Sequence, residues 1–215
     1  MAGELRRKPR FSASHESHAR APLLPHPPDV PGKNRFNHAS EFRHGNLAIQ
    51  PPAFVKGFHE LGLAKAGIRL MPSAEAIDEA DLQNLGDLAV GIISASHYTA
   101  AYNSPANKAF VAAWKKAYGA DKDPDLFAAG AYDGMALVYD VVKKLNGKFD
   151  GDAAMGVIKG WTHESPRGPI SIDPETRDIV QNVYICRVEK VDGRLANVVI
   201  DTYPAVKDPW KQRNK

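Results

Sequence analysis

The sequence predicts an α/β fold, because helical and strand-like patterns alternate from about residue 53 onward. Short apolar runs are separated by segments in which apolar residues recur every three or four positions, the period of an amphipathic helix. Two longer helical patterns lie in the middle of the chain, and two strand-like runs close it around Asp192-Gly193. Alternating elements of this kind form packed layers of helix and sheet.

The composition is that of a folded chain. The 215 residues are 43% hydrophobic and 8% aromatic, which is enough for an apolar core. A net charge of +3 is nearly balanced and indicates neither nucleic acid nor an anionic membrane as a partner. No apolar run approaches the roughly 18 residues of a membrane helix. Cys186 is the only cysteine, and its strand-like surroundings predict a buried thiol.

The first 52 residues differ from the rest. They hold half of the 16 prolines, most of the eight histidines and few large apolar residues. Such a segment cannot offset about 1 to 2 kcal/mol of backbone entropy per residue, so we expect residues 1–52 to form a disordered arm. Its histidines lack metal-site spacing and its basic residues lack aromatic neighbours, so we expect no metal or nucleic-acid site. Its basic start is followed by polar residues and proline, so it does not match an export signal.

The elements after the arm follow in order. A first helix from residue 53 ends near Gly62 or Gly67, and residues 68–71 predict a short buried strand. Acidic residues at 78–81 favour a helix start, and residues 90–95 predict the next strand. The stripe of the first helix consists of Phe54, Phe58 and Leu61.

Two amphipathic helices are predicted after a polar passage at residues 97–105. Phe110, Ala113, Trp114 and Ala117 form the apolar face of the first helix. The second is predicted over residues 126–145, and a shorter helix over residues 152–159. The apolar face of the second helix consists of Tyr132, Met135, Ala136, Tyr139 and Val142.

The last quarter of the chain predicts a β-hairpin. Its strands are residues 183–191 and 195–201, and Asp192-Gly193 tolerates the positive φ angles of a tight turn. Residues 166–169 predict an extended connector before it, and Asp173-Pro174 predicts a capped helical turn.

Several of these motifs, taken in order, resemble one protein family. They are Leu61-Gly-Leu, Leu85-Gly-Asp-Leu-Ala-Val-Gly-Ile, Pro105-Ala-Asn-Lys-Ala-Phe-Val, Ala131-Tyr-Asp-Gly-Met and Pro166-Arg-Gly-Pro with Asp173-Pro-Glu-Thr-Arg-Asp. Their order and spacing over residues 53 to about 210 are similar to the closing half of branched-chain amino acid-type ABC-transporter substrate-binding proteins. The resemblance covers about three quarters of this chain and about half of a typical member, with residues 211–215 as a tail.

The resemblance implies an incomplete type I periplasmic-binding-protein fold. Residues 53–95 would belong to the second lobe, and residues 96–104 would be the second crossing between lobes. Residues 107–159 would be helices that pack on the first lobe, and residues 168–172 the third crossing. The hairpin would return to the second lobe. Because residues 1–52 do not resemble the first lobe and are too few to encode it, we expect a truncated copy.

The resemblance also implies a ligand site, since ligands of two-lobed receptors are held in the cleft. Ser73 and Glu75 fall in a loop where amino acid-binding members carry an acid, with a solvated loop acid as the alternative for Glu75. His97, Tyr98 and Tyr102 fall at the second crossing, where they could form a flat, partly polar wall; a surface position is the alternative for His97 and Tyr102. Arg167, Asp173 and Arg177 are expected to lock the connector and hinge through charge-assisted contacts.

The implied function is transport, with two alternatives left open. No nucleophile elbow, phosphate loop or His-Glu-x-x-His pattern is present, so we expect no enzyme activity, cofactor or metal. The resemblance implies a periplasmic receptor that passes an amino acid, amide or aromatic acid to an ABC permease. The alternatives are a cytoplasmic ligand-sensing regulator of the same fold and a fragment that binds no ligand. We expect the chain alone to bind solutes weakly or not at all.

Overall fold

The computed structural model describes residues 51–148 and 150–213, which form helices on an antiparallel sheet. None of the helices in these residues is long and apolar enough to cross a membrane. The helices are α1 (Pro51–Glu60), α2 (Glu79–Leu85), α3 (Pro105–Tyr118), α4 (Leu126–Lys144), α5 (Gly151–Ile158) and α6 (Pro209–Arg213). The strands are β1 (Ile93–Ser96), β2 (Thr162–Ser165), β3 (Gly168–Ile172), β4 (Ile179–Val191) and β5 (Arg194–Val206).

The sheet is organised around β4. β5 pairs with β4 along most of its length, from Gln181 to Val191. On the other edge of β4, β1 pairs with the middle of the strand, from Tyr184 to Arg187, while β3 pairs only with its first residues. β2 extends the sheet beyond β3. The end of β1 and the β2–β3 hairpin are therefore held beside each other by one strand.

The predicted α/β class and the closing hairpin are confirmed. Val191 pairs with Arg194, which leaves a two-residue loop of Asp192 and Gly193 with φ angles of 50° and 80°. Two consecutive positive φ angles are the signature of a type I′ turn, whose twist matches that of the strands. Cys186 lies buried in β4, as predicted.

The sequence predicts the starts of α2, α3, α4 and α5, and each of these four helices has a capping side chain. α4 and α5 match the predicted helices to within a residue at both ends. α1 begins at Pro51, so the last two residues assigned to the arm are helical, and the other predictions about the arm lie outside the described residues. The capping side chains that accept a backbone N–H are Asp78, Ser104, Asp125 and Asp150.

Two predictions in the first part of the chain are wrong. Residues 68–71 form no strand, and only an isolated parallel bridge joins Ser73 to Ala95. Pro72 supplies no N–H there, and β1 offers a partner only from Ile93 onward, so a regular ladder cannot form. Leu61 does not belong to the buried stripe, because α1 ends at Glu60 and the Leu61 side chain is 77% exposed.

The predicted extended connector at residues 166–169 is also wrong. Ser165 pairs with Gly168, so Pro166 and Arg167 form the turn of the β2–β3 hairpin. The sequence motif marks the turn through Pro166 and Gly168, but β2 itself has no alternating apolar pattern that would have revealed a strand. Asp173 does form the predicted cap, since its Oδ1 accepts hydrogen bonds from the backbone N–H groups of Glu175 and Thr176.

The apolar residues divide into two buried clusters and one exposed face. The first cluster lies between α1, α2 and the β4–β5 hairpin, with Ile77, Leu82 and Val188 among its members. The second consists of Tyr98, Phe110, Leu126 and Ala129. The predicted apolar face of α4 is largely exposed in this chain: Tyr132, Met135, Tyr139 and Val142 are each between 44% and 58% accessible, and Ala136 is half-buried. Val138, outside the predicted face, is 48% accessible.

Candidate functional site

The end of β1 and the loop that follows it bring most of the predicted ligand residues into one region. The backbone of Ser73 bridges Ala95, so the turn that begins at Ser73 lies beside the last residues of β1. Glu75 is exposed in that turn and acts electrostatically on His97, the first residue after β1. Ser73, Glu75 and His97 therefore lie in one region of the structure.

His97 is held in its neutral form by its surroundings. Burial lowers the pKa of its imidazole most, and the nearby Arg167 guanidinium lowers it further. The carboxylates of Glu75 and Asp133 oppose this shift without cancelling it. A neutral imidazole carries one donor and one acceptor, so His97 can bond a hydroxyl group in either sense.

Tyr98 and Tyr102 lie in different environments. Tyr98 is 1% exposed, its ring meets Phe110 edge-on at 6.3 Å, and its hydroxyl donates to Oδ1 of Asn107 at 3.1 Å. The pKa of Tyr98 is raised by burial and by Glu79. Tyr102 is half-buried, with its ring tilted against Tyr184 at a centroid distance of 4.9 Å. Tyr102 therefore offers ring surface, whereas Tyr98 supports the loop from inside.

Asn107 organises this loop, a role that the sequence patterns did not reveal. Its side chain is fully buried at the start of α3, and its Nδ2 donates to the carbonyl oxygens of Tyr102 at 2.8 Å and Ala100 at 3.0 Å. An asparagine at the third position of a predicted helix, after a capping serine, ordinarily faces solvent. Its partners lie five to nine positions earlier, in a loop without regular structure, so periodicity carries no signal for these contacts.

A buried ion pair connects the β2–β3 turn to α4. Arg167 Nε donates to Oδ2 of Asp133 at 2.6 Å, and both side chains are less than a tenth exposed. Ser165 Oγ donates to the same carboxylate oxygen at 2.9 Å. Nη1 of Arg167 donates to Oε1 of Gln181 at 2.7 Å. The expected charge-assisted contact of Arg167 is confirmed, and it joins α4 to the β2–β3 turn and to β4.

Gly168 allows the turn to approach the tyrosines. Its φ is +92°, and a Cβ at this position would lie 2.8 Å from the Tyr184 hydroxyl and 3.3 Å from that of Tyr102. The Tyr184 hydroxyl donates to the carbonyl oxygen of Arg167 at 2.7 Å. Only glycine combines this backbone conformation with so close an approach.

A separate surface cleft lies on the other elements of the sheet. It has a volume of about 580 Å³ and is lined by residues of β2, β3 and the paired ends of β4 and β5, including Thr162, Pro169 and Asn182. None of the five predicted ligand residues lines this cleft. Among the described residues, no cluster of histidine, cysteine and carboxylate side chains could hold a metal ion.

Comparison with known proteins places this geometry in a family. The family model for periplasmic binding protein matches residues 46–194. The Leu/Ile/Val-binding protein homolog 6 of Brucella abortus (strain 2308) is 39% identical over 157 residues, which are 73% of this chain and 40% of that protein.

Solved structures of ABC-transporter solute-binding proteins give the same result. The protein from Rhodopseudomonas palustris BisB5, in complex with 3,4-dihydroxy benzoic acid, is 51% identical with a TM-score of 0.71; the match covers 75% of this chain and 44% of that one. The protein from Rhodopseudomonas palustris HaA2, in complex with p-hydroxybenzoic acid, is 40% identical with a TM-score of 0.72, covering 77% and 45%. The chain belongs to the periplasmic binding protein family, and it spans less than half the length of these ABC-transporter relatives.

Proposed function

We propose that this chain forms one wall of a binding site for small aromatic acids that carry a ring hydroxyl group, in a periplasmic receptor that serves an ABC permease. The observation that carries the proposal is the sequence identity of 51% and 40% with two solute-binding proteins whose structures contain hydroxylated benzoic acids. The wall would consist of Ser73, Glu75, His97 and Tyr102, with Tyr98 supporting it from behind. It would bind its solute without converting it.

The chemistry of the wall suits the hydroxyl end of such a ligand. The half-buried ring of Tyr102, which packs at a tilt on the buried ring of Tyr184, offers apolar surface for a benzene ring. The neutral imidazole of His97 can bond a phenolic hydroxyl. Glu75 is negatively charged and would repel a carboxylate nearby, so we expect the ligand's carboxylate to face away from this wall.

A second candidate ligand is a branched-chain amino acid. The relative from Brucella abortus is named for binding leucine, isoleucine and valine, and a carboxylate at Glu75 could pair with an ammonium group. The two candidate ligands differ in the group that Glu75 would contact, which is a hydroxyl in one and an ammonium in the other. Ligands that carry only one of these groups therefore distinguish the two candidates.

The proposal is tested by ligand-detected NMR with the chain itself. If the chain provides half of the roughly 8 kcal/mol binding free energy of a micromolar complex, its affinity is roughly millimolar. The chain is therefore titrated with 4-hydroxybenzoate at millimolar concentration, and separately with benzoate and with leucine. We expect 4-hydroxybenzoate to bind most tightly and Tyr102→Ala to weaken it by roughly tenfold through the lost ring contact. Tyr203→Ala, which changes an exposed ring on β5, is the matched control and should have no effect. Binding of leucine in preference to both acids would overturn the aromatic-acid proposal.

A further inference from the structure

The solvent side of α4 carries a stripe of large apolar side chains. Its six members are each between 44% and 65% exposed, and they are Phe127, Tyr132, Met135, Val138, Tyr139 and Val142. At 3.6 residues per turn they fall within an arc of about 140° of the helix surface. Four of them, at positions 132, 135, 139 and 142, have the three-and-four spacing with which two helices pack along a common seam.

No charged side chain interrupts this stripe. Asp133 is buried in its ion pair, and Oδ2 of Asp140 accepts a hydrogen bond from Nε1 of Trp161 at 2.9 Å, so both aspartates face the rest of the fold. The other charged residues of the helix, Lys143 and Lys144, lie in its last turn. The stripe is therefore apolar along about four turns, from residue 127 to residue 142.

The area of the stripe can support a specific interface. Aromatic side chains cover roughly 150 to 250 Å² each, so at the observed exposures the stripe presents on the order of 600 Å² of apolar surface. That area is at the upper end of the largest apolar patch on a typical monomer, about 300 to 600 Å². One side of a standard interface buries about 800 Å², which the stripe approaches together with the exposed residues beside it, such as Ala131 and Gly134.

The charges at the ends of α4 favour an antiparallel partner helix. Lys143 and Lys144 end the helix, Lys148 follows it, and none of the three forms an ion pair among the residues that the structure describes. Two parallel copies of α4 would bring these lysines together, which is unfavourable. In an antiparallel pair they lie near the start of the second helix instead, where Asp125 is the cap and Asp121 is exposed.

We propose that the exposed stripe of α4 is the interface between two copies of this chain, which pair antiparallel about a two-fold axis. The stripe is centred near residue 137, so Met135 of each copy contacts Tyr139 of the other, and Tyr132 contacts Val142. Each contact is made twice, because a two-fold axis places the same surface on both sides of the interface. An uncharged apolar stripe is complementary to itself in this arrangement.

A second copy competes with one other occupant of the stripe. The resemblance to a two-lobed receptor assigns α4 to the contact with the other lobe, and the same apolar surface suits either. The residues of the proposed ligand wall, which are Ser73, Glu75, His97 and Tyr102, lie outside α4. Association through α4 is therefore independent of the solute that the chain binds.

The experiment is analytical ultracentrifugation of the whole chain between about 1 and 200 µM, a range that brackets a micromolar dissociation constant. We expect the mass to rise with concentration from 23.5 kDa toward twice that value. Tyr139→Lys places a charge at the centre of the interface and should raise the dissociation constant by at least about tenfold. Tyr203→Lys is the matched control and should leave it unchanged, since Tyr203 on β5 is 56% exposed and Tyr139 is 58% exposed.

Met135→Lys guards against the chance that Tyr139→Lys does not fold, and it should weaken the dimer in the same way. Circular dichroism shows whether each variant keeps its helices. A chain that stays monomeric at about 200 µM would overturn the proposal and favour the other lobe as the occupant of the stripe. A dimer that Tyr203→Lys weakens as much as Tyr139→Lys does would also overturn it, because the interface would then lie elsewhere.

Disulfide cross-linking tests the antiparallel arrangement. A mixture of Met135→Cys and Tyr139→Cys chains, oxidised with oxidised glutathione, should form linked dimers more readily than either variant alone. Cys186 is buried and should not interfere. Linked dimers that form most readily from Met135→Cys alone would contradict the antiparallel pairing.

Discussion

At the scale of single residues, the buried pair of Arg167 and Asp133 joins two elements of the fold. It connects the β2–β3 turn with α4 through a 2.6 Å contact, and Ser165 and Gln181 add hydrogen bonds. Oδ1 of Asp133 is buried without a hydrogen-bond partner among the described residues. A buried pair need not stabilise a fold relative to an apolar replacement, but removal of one partner leaves a charge in an apolar setting. The pair is thus expected to fix the position of α4 on the sheet.

We predict that Arg167→Met lowers the free energy of unfolding by about 3 kcal/mol, because Asp133 is then buried without its partner. Urea unfolding followed by circular dichroism measures the change. Lys190→Met is the matched control: its pair with Asp87 is exposed, so the expected loss is below about 1 kcal/mol. Adding Asp133→Asn to Arg167→Met should recover part of the loss, and strictly additive losses would contradict this account of the pair.

Burial raises the pKa of Glu79 to about 7, and this shift predicts how stability depends on pH. The folded state holds a proton on Glu79 up to about pH 7, whereas the unfolded chain releases it near the ordinary value of 4.5. The folded state therefore binds more protons in this window, so the free energy of unfolding falls as the pH rises.

Relative to Glu79→Gln, the wild type should lose about 2 kcal/mol of stability between pH 5 and pH 8. Taking the difference from the variant removes the opposite contribution of His97, whose pKa is lowered. Urea unfolding of both proteins at the two pH values provides the test. Equal slopes against pH in the two proteins would show that Glu79 does not titrate in this range.

The sequence predicted residues with strong local rules and missed those with long-range contacts. The buried thiol of Cys186 and the cap at Asp173 follow from their immediate neighbours in sequence. Asn107 bonds to an irregular loop five to nine positions before it, and Glu79 accepts a hydrogen bond from Asn197 of β5, 118 positions away. Such contacts depend on the packed fold, and a single sequence has no local signal for them.

At the scale of elements, the β4–β5 hairpin is the element that its sequence specifies most directly. Asp192-Gly193 provides both positive φ angles, and the two strands pair over most of their length. By contrast, residues 68–71 are apolar enough for a strand but lack a continuous partner, and β2 is a strand without an apolar pattern. Whether such short segments become strands depends on neighbouring strands.

We predict that Gly193→Ala lowers the free energy of unfolding by about 1 kcal/mol, because alanine adopts a φ of +80° only with strain. No atom lies within 4 Å of the new Cβ, so the cost would come from the backbone alone. Gly156→Ala, inside α5 and equally unobstructed, is the control and should be neutral or stabilising. Thermal or urea unfolding compares the two; an equal effect of both substitutions would contradict the turn assignment.

At the scale of the whole molecule, the described residues combine a well-packed hairpin layer with an uncovered helix. α1, α2 and the hairpin enclose one apolar cluster, whereas α4 presents Met135, Tyr139 and Val142 to solvent. Large apolar side chains left in water forgo about 1.5 to 3 kcal/mol each of burial energy. The resemblance of the sequence to the closing half of a two-lobed receptor implies that α4 packs on the other lobe, in agreement with this exposure.

A hybrid protein can test whether this chain supplies one wall of a binding site for aromatic acids. In this hybrid, residues 53–210 replace the corresponding half of the solute-binding protein from Rhodopseudomonas palustris BisB5 whose structure contains 3,4-dihydroxy benzoic acid. Calorimetry measures the binding of aromatic acids to the hybrid. We predict that the hybrid binds 3,4-dihydroxybenzoate with micromolar or tighter affinity, a binding free energy of at least about 8 kcal/mol. Tyr102→Ala should weaken this binding, and Tyr203→Ala should not. A hybrid that folds cooperatively and binds no hydroxylated benzoic acid, or that binds leucine instead, would contradict this prediction.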